Sequence, residues 1–188
     1  MSIVEPKPLL WTRDEYYRLA ETDVLRDRRV QLIEGEIIEM APQRNEHAVA
    51  IELSHDVLRA AFPAGYRIRI QSPLALSPLS EPEPDLAVVQ GSPRESTAHP
   101  TTAALVLEIA DTTLRLDRTR KARIYAEAGV SDYWIVNLPE RCLEVRRNPA
   151  RDASGQWAYD ELQTIMPDGT IAPLAALRAQ IKVTDLLP

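Results

Sequence analysis

Three charged side chains stand where folding alone would place apolar ones. Glu108 interrupts the run Leu105-Val106-Leu107-Glu108-Ile109-Ala110, which has the make-up of a strand covered on both faces. A carboxylate there loses its hydration and needs a cation, a metal or good hydrogen bonds in exchange. Lys121 falls among inward-facing apolar residues of a following helix, one turn after Asp117. Asp85 closes the proline-rich stretch 78–84 and opens a second apolar run, Leu86-Ala87-Val88-Val89. Two carboxylates and an ammonium from two strands and a helix make a site for Mg²⁺ or Mn²⁺, ions that take a few carboxylates plus waters. Such an ion acidifies a bound water and clamps a phosphoryl oxygen, while a lysine orients the water or offsets developing charge.

The elements that position these residues follow from periodicity. Leu105 to Ala110, a helix from Leu116 to Ala128 closed by Gly129, and Asp132 to Val136 form a strand-helix-strand unit. The crossover makes those two strands parallel and lays the inward helix face on the sheet. At about 100° per residue, Ile124, Tyr125 and Ala128 face inward with Lys121, while Arg120, Arg123 and Glu127 face out as a solvated surface. The strands carrying Asp85 and Glu108 are expected to run parallel, with both carboxylates reaching one ion.

Before this unit, residues 1–10 read as an arm, and Thr12 with Glu15 has capping-box spacing for a helix to about Ala20. Val30–Ile33 and Glu36–Met40 flank Glu34-Gly35 as a hairpin, and Asn45 is expected to cap a helix running to about Phe62. His47 lies on that helix's buried side as a secondary site candidate. Tyr66–Ile70 and Pro73–Ser77 read as strands, and 91–102 as a polar loop long enough to cover a site. After the unit come a hairpin, Arg141–Arg147 and Trp157–Ile165, turning over 148–156, and a closing segment through Ile171, Leu174, Ile181, Val183 and Leu186.

A chain of 188 residues suits one α/β domain. The single Cys142 excludes an intramolecular disulfide and a cysteine-rich zinc site. Without an apolar signal core or a membrane-length apolar run, the expectation is a soluble cytoplasmic protein. The net charge of -6 argues against coating nucleic acid by charge alone. Glycine-rich phosphate loops, HExxH and GxSxG are missing, which removes P-loop, zinc-protease and serine-hydrolase chemistry.

Taken in order, Gln31-Leu32-Ile33-Glu34-Gly35-Glu36, His47, Pro84-Asp85-Leu86, Leu107-Glu108-Ile109, Asp117 with Lys121, and Gly129 with Tyr133-Trp134-Ile135-Val136 resemble the Uma-type branch of the PD-(D/E)XK nuclease superfamily. The resemblance implies an α/β fold, a restriction-endonuclease-like mixed central sheet flanked by helices with an N-terminal hairpin. It also implies Asp85 and Glu108 as metal-binding carboxylates, with Lys121 as the motif lysine moved from the strand to the next helix. Gln31, Glu34, His47 and Asp117 are secondary candidates, and Gln31 stands where the family has a glutamate. The implied activity is Mg²⁺-dependent endonucleolytic hydrolysis of DNA by a homodimer. The alternative is a nuclease fold that no longer cuts and serves as a binding or regulatory module.

Overall fold

The computed structural model describes residues 6–188; residues 1–5 of the expected arm lie outside the described residues. Helix α1 (Arg13–Ala20) begins with the expected capping box, the Thr12 hydroxyl accepting from Glu15 N–H while Glu15 accepts from Thr12 N–H. Strands β1 (Val30–Ile33) and β2 (Glu36–Glu39) form a two-stranded hairpin separate from the main sheet. Its turn residues Glu34 and Gly35 have φ of 53° and 79°, the left-handed pair that a two-residue turn of this hand requires. Gly35 is needed twice over, because a Cβ there would fall 2.6 Å from Cβ of Leu10.

Helix α2 (Asn45–Ala61) packs Ile51 and Leu58 inward. Asn45 is its first helical residue rather than its cap; Arg44 takes the cap position without a side-chain bond. The main sheet comprises β3 (Tyr66–Ile70), β4 (Leu86–Gln90), β5 (Leu105–Ala110), β6 (Asp132–Asn137), β7 (Cys142–Arg151) and β8 (Trp157–Ile165), in sequence order across the sheet. Only β5 and β6 pair in parallel, as the crossover demands. The expectation that Asp85 and Glu108 sit on parallel strands is corrected. β4 and β5 are antiparallel, with Leu86 opposite Leu107, because a loop and not a crossover helix joins them. Pro73–Ser77 forms no strand, only a bridge from Ser77 to Ser80, since the prolines around it withhold ladder donors. The β7-β8 turn is shorter than expected, as pairing runs out to Arg151 with Trp157.

The crossover helix, α3, starts earlier than its periodicity suggested and is not uniform. It consists of Leu114–Leu116, a wide π turn over Asp117–Lys121, and Ala122–Glu127. The sheet buries both faces. One carries Leu86, Val88, Leu107, Ile109, Trp134 and Val136 against α2 and the closing residues Val183 and Leu186. The other carries Ala87, Val106, Tyr133 and Ile135 against Tyr125 of α3 and Ile33 of the hairpin. β5 and β6 are buried at every residue, which explains why their sequences are apolar apart from Glu108, Asp132 and Asn137. Leu174, expected in the core, is 40% exposed. No helix among the described residues is long and apolar enough to cross a membrane.

Candidate active site

Asp85 immediately precedes β4, and extending the Leu86-Leu107 register by one residue sets it opposite Glu108. Directly opposed residues of an antiparallel pair point to the same face, here the face covered by α3. The two acids are tied through each other's backbone: Asp85 Oδ2 accepts Ile109 N–H at 2.8 Å, and Glu108 Oε2 accepts Asp85 N–H at 3.3 Å. His47 Nε2 reaches Asp85 Oδ2 at 3.2 Å and the Ile109 carbonyl at 3.1 Å, while Gln71 donates to Asp85 Oδ1 at 3.3 Å. Gln71 has φ of 44°, a left-handed conformation that turns the chain back after β3.

Lys121 meets Glu108 as its inward placement required. Its Nζ lies 2.9 Å from Glu108 Oε1 and 3.4 Å from Asp117 Oδ1, and Tyr125 donates its hydroxyl to the same Glu108 oxygen at 2.6 Å. The π turn brings both Asp117 and Lys121 to the buried side; such turns recur at functional sites. Burial drives the Glu108 carboxyl up to about 8, with Asp117 and Asp85 adding to the rise and Lys121 opposing it. Burial also raises Asp117. For Lys121 burial acts downward, but Glu108, then Asp117 and Asp85, outweigh it and hold the ammonium charged. One cation therefore serves a group of buried acids.

Asp85, Glu108, Lys121, His47 and Gln31 line one cleft of about 180 Å³ between the hairpin and the start of α3. Gln31 is buried, and its side-chain oxygen accepts Glu83 N–H at 3.2 Å. Asp117 and Glu34 do not line the cleft. Glu34 instead receives Arg120 at 2.8 Å and Arg123 at 2.6 Å, so the outer helix face expected to be solvated clamps the hairpin turn. Arg118 likewise engages the buried Glu144 at 2.6 Å. Two residues bonded to the site carry no signal in the sequence pattern. Tyr125 reads as one more apolar face residue, and Gln71 sits beyond a strand end.

The cleft sets the carboxylates of Asp85 and Glu108 side by side, with His47 and Met40 also in its lining; paired carboxylate oxygens suit Mg²⁺ or Mn²⁺. Among the described residues no group of three or more His, Cys, Asp or Glu is placed to hold a metal ion. Two adjacent carboxylates still suffice for an ion that keeps most of its waters. Asp85 and Glu108 would hold it, in exchange for contacts they now make to protein donors.

The fold has counterparts among known proteins. The structure superposes with TM-score 0.71 on the crystal structure of a putative nuclease belonging to DUF820 from Anabaena variabilis ATCC 29413, at 19% identity, covering 93% of this chain and 96% of that one. No curated protein matches the chain. The likeness at that identity concerns the fold: a mixed sheet flanked by helices with an N-terminal hairpin, the restriction-endonuclease-like architecture. A family model, Uma2, described as "Putative restriction endonuclease", matches residues 13–182, and with nearly the whole chain inside that match the protein belongs to the Uma2 family of PD-(D/E)XK-like proteins.

Proposed function

We propose that the cleft takes up a divalent cation between Asp85 and Glu108 and through it engages a phosphodiester of a nucleic acid, DNA in the first instance. In this reading the protein acts as a binding or regulatory module on a nuclease fold. The observation that favours a module over an enzyme is the saturation of the acid pair. The Asp85 and Glu108 oxygens are met by Ile109 N–H, His47, Gln71, Asp85 N–H, Lys121 and Tyr125. A metal must displace several of these contacts, and Gln31 brings a neutral amide where a third acid would help it do so.

Charge explains why a cation is part of the reading. The cleft is lined by the acids Glu39, Glu83, Asp85, Glu108 and Asp111 against the cations Arg29, Arg44 and Lys121. Arg29 faces Glu83 at 3.9 Å and Arg44 faces Asp111 at 3.7 Å. A phosphate entering alone meets surplus negative charge, so metal-free binding in the cleft is disfavoured.

Hydrolysis is the second reading, and one contact favours it. Lys121 sits 2.9 Å from Glu108, placed to orient a water or offset charge on a phosphoryl oxygen beside the acid pair. A bound Mg²⁺ would supply Lewis acidity and a more acidic water. A homodimer would let two clefts address the two strands of a duplex.

The experiment is calorimetric titration with Mg²⁺ and Mn²⁺ beside cleavage of supercoiled plasmid and single-stranded DNA. Metal and DNA binding without cutting supports the module. Metal-dependent nicking that is lost in Lys121→Met while the variant still folds and binds Mg²⁺ replaces it with the hydrolytic reading, and failure to bind either ion overturns both.

A further inference from the structure

Most arginines that fold onto this protein have a carboxylate opposite them, as Arg118, Arg120, Arg123 and Arg147 do. Two on the edge strand β3 do not. Arg67 and Arg69 are half-buried, and the Nε of each is buried with no hydrogen-bond partner. Among the described residues neither joins an ion pair. Arg69 donates from Nη2 to the Pro73 carbonyl at 3.2 Å and meets His99 Nδ1 at 3.3 Å, which leaves its charge uncompensated. Burial, followed by the charge of Arg67, pulls the Arg69 guanidinium below its ordinary range. Two like charges held together and short of solvent, with donors unspent, are a costly arrangement for a fold to keep unless an anion relieves it.

Their register gives the anion a place. Arg69 pairs with Ala87 and Arg67 with Val89, so both project from the sheet face that carries Asp85 and Glu108. The next residue on that face is Gln71, whose amide holds Asp85 Oδ1 at 3.3 Å. Same-face residues two apart are spaced by about 6.6 Å along a strand. The arginines thus continue along the edge strand β3, away from the acid pair, and Arg69 meets His99 of the 91–102 loop.

The geometry points to a phosphate subsite formed by Arg67 and Arg69, which takes a backbone phosphate of the same nucleic-acid strand whose neighbouring phosphodiester is engaged at Asp85 and Glu108. This inference rests on the nucleic-acid reading of the cleft and adds the direction in which the strand leaves it. Guanidinium forks match phosphate oxygens in pairs. A subsite of this kind supplies affinity without sequence preference.

The test is fluorescence anisotropy of a short labelled single-stranded DNA over a range of salt concentrations with Mg²⁺ present. The proteins compared are wild type, the double variant Arg67→Gln with Arg69→Gln, and the double variant Arg67→Lys with Arg69→Lys. The Gln pair is expected to lose at least tenfold in affinity and to flatten the log–log salt slope by about 0.7 for each phosphate contact removed. The Lys pair should keep the slope, and the full-length Gln variant should bind Mg²⁺ like wild type by calorimetry. If the Gln pair does not fold, the single variants Arg67→Gln and Arg69→Gln decide it: each should flatten the slope by about 0.7, and wild-type slopes in both folded single variants overturn the subsite. A Gln pair with wild-type affinity and slope, beside an Asp85→Asn variant that loses DNA, overturns the subsite and leaves the cleft reading standing. Wild-type protein that binds Mg²⁺ but no DNA overturns both.

Discussion

Asp85 and Glu108 each hold the other's strand: the Asp85 carboxylate accepts Ile109 N–H at 2.8 Å, and the Glu108 carboxylate accepts Asp85 N–H at 3.3 Å. The acid pair is thereby fixed by backbone, and neither side chain can turn away without freeing a buried donor.

Mutual support of this kind should appear as non-additivity. Asp85→Asn removes a negative ligand and Glu108→Gln an acid that releases its proton on binding the ion, each at near-constant volume, and each should weaken Mg²⁺ binding at least tenfold. The double variant should lose less than the sum of the two, because the first change already loosens the second acid. Calorimetry on the four proteins closes the cycle; strictly additive losses would show two independent carboxylates.

Lys121 allows a sharper test than its spacing from Asp117 suggests. An exposed i, i+4 pair is worth only about 0.2–0.5 kcal/mol. Here the side chains of Lys121, Glu108 and Asp117 are 6%, 2% and 1% exposed, so removing the ammonium strands buried acids. Lys121→Met should cost about 3–5 kcal/mol at pH 8, the usual penalty for breaking a buried pair from one side. At pH 5 the loss should shrink as the carboxyls take up protons. Chemical denaturation at the two pH values measures this, and equal losses at both would mean that the acids do not depend on Lys121.

A second pH dependence comes from Glu108 itself. Its carboxyl is raised from 4.5 to about 8 by burial first, then by Asp117 and Asp85 against the pull of Lys121. Below 4.5 it is protonated in both states and its contribution is fully present. Between 4.5 and about 8 the folded protein keeps a proton that the unfolded chain has released, so stability falls as pH rises through that window. Thermal melts without metal should show the decline, at about 2–4 °C for each kcal/mol in a chain of this size. Glu108→Gln should flatten the curve across the window, and a variant that kept the wild-type slope would assign the proton elsewhere.

The way these elements became visible in the sequence differs from residue to residue. Glu108 and Lys121 were legible because each breaks an apolar pattern, and a buried charge must find its opposite. The strand-helix-strand unit followed from the same pattern, and so did the parallel pairing of β5 with β6. The direction of β4 relative to β5 was not legible: an apolar run has no polarity, and only the connection between runs sets it. The π turn at Asp117–Lys121 also left no trace, since one extra residue in a turn alters hydrogen bonding without altering composition. Glu34 read as a turn acid, because the arginines that bind it lie more than eighty positions away in the chain.

That long-range clamp supports the last prediction. Glu34 accepts from Arg120 Nε at 2.8 Å and from Arg123 Nε at 2.6 Å, while Arg120 Nη2 donates to the Ile33 carbonyl at 2.8 Å. The hairpin turn is thus docked on the outer face of α3, and β1 brings Gln31 to the cleft. Although burial acts upward on the Glu34 carboxyl, the two guanidiniums outweigh it and lower it below 4.5. Its contribution is therefore present above 4.5 and is lost as pH falls below it. Glu34→Gln keeps shape and turn but removes the charge, and should cost about 1–2 kcal/mol at pH 7, a charge-assisted bond discounted for partial exposure. The variant should also lose part of the wild-type drop in stability on acidification. If the clamp fixes the cleft wall, Mg²⁺ affinity should weaken in the same variant although Glu34 is not a ligand. Denaturation at pH 7 and pH 4 with calorimetry on one preparation decides it: wild-type stability at both pH values would show that the turn holds without the two arginines.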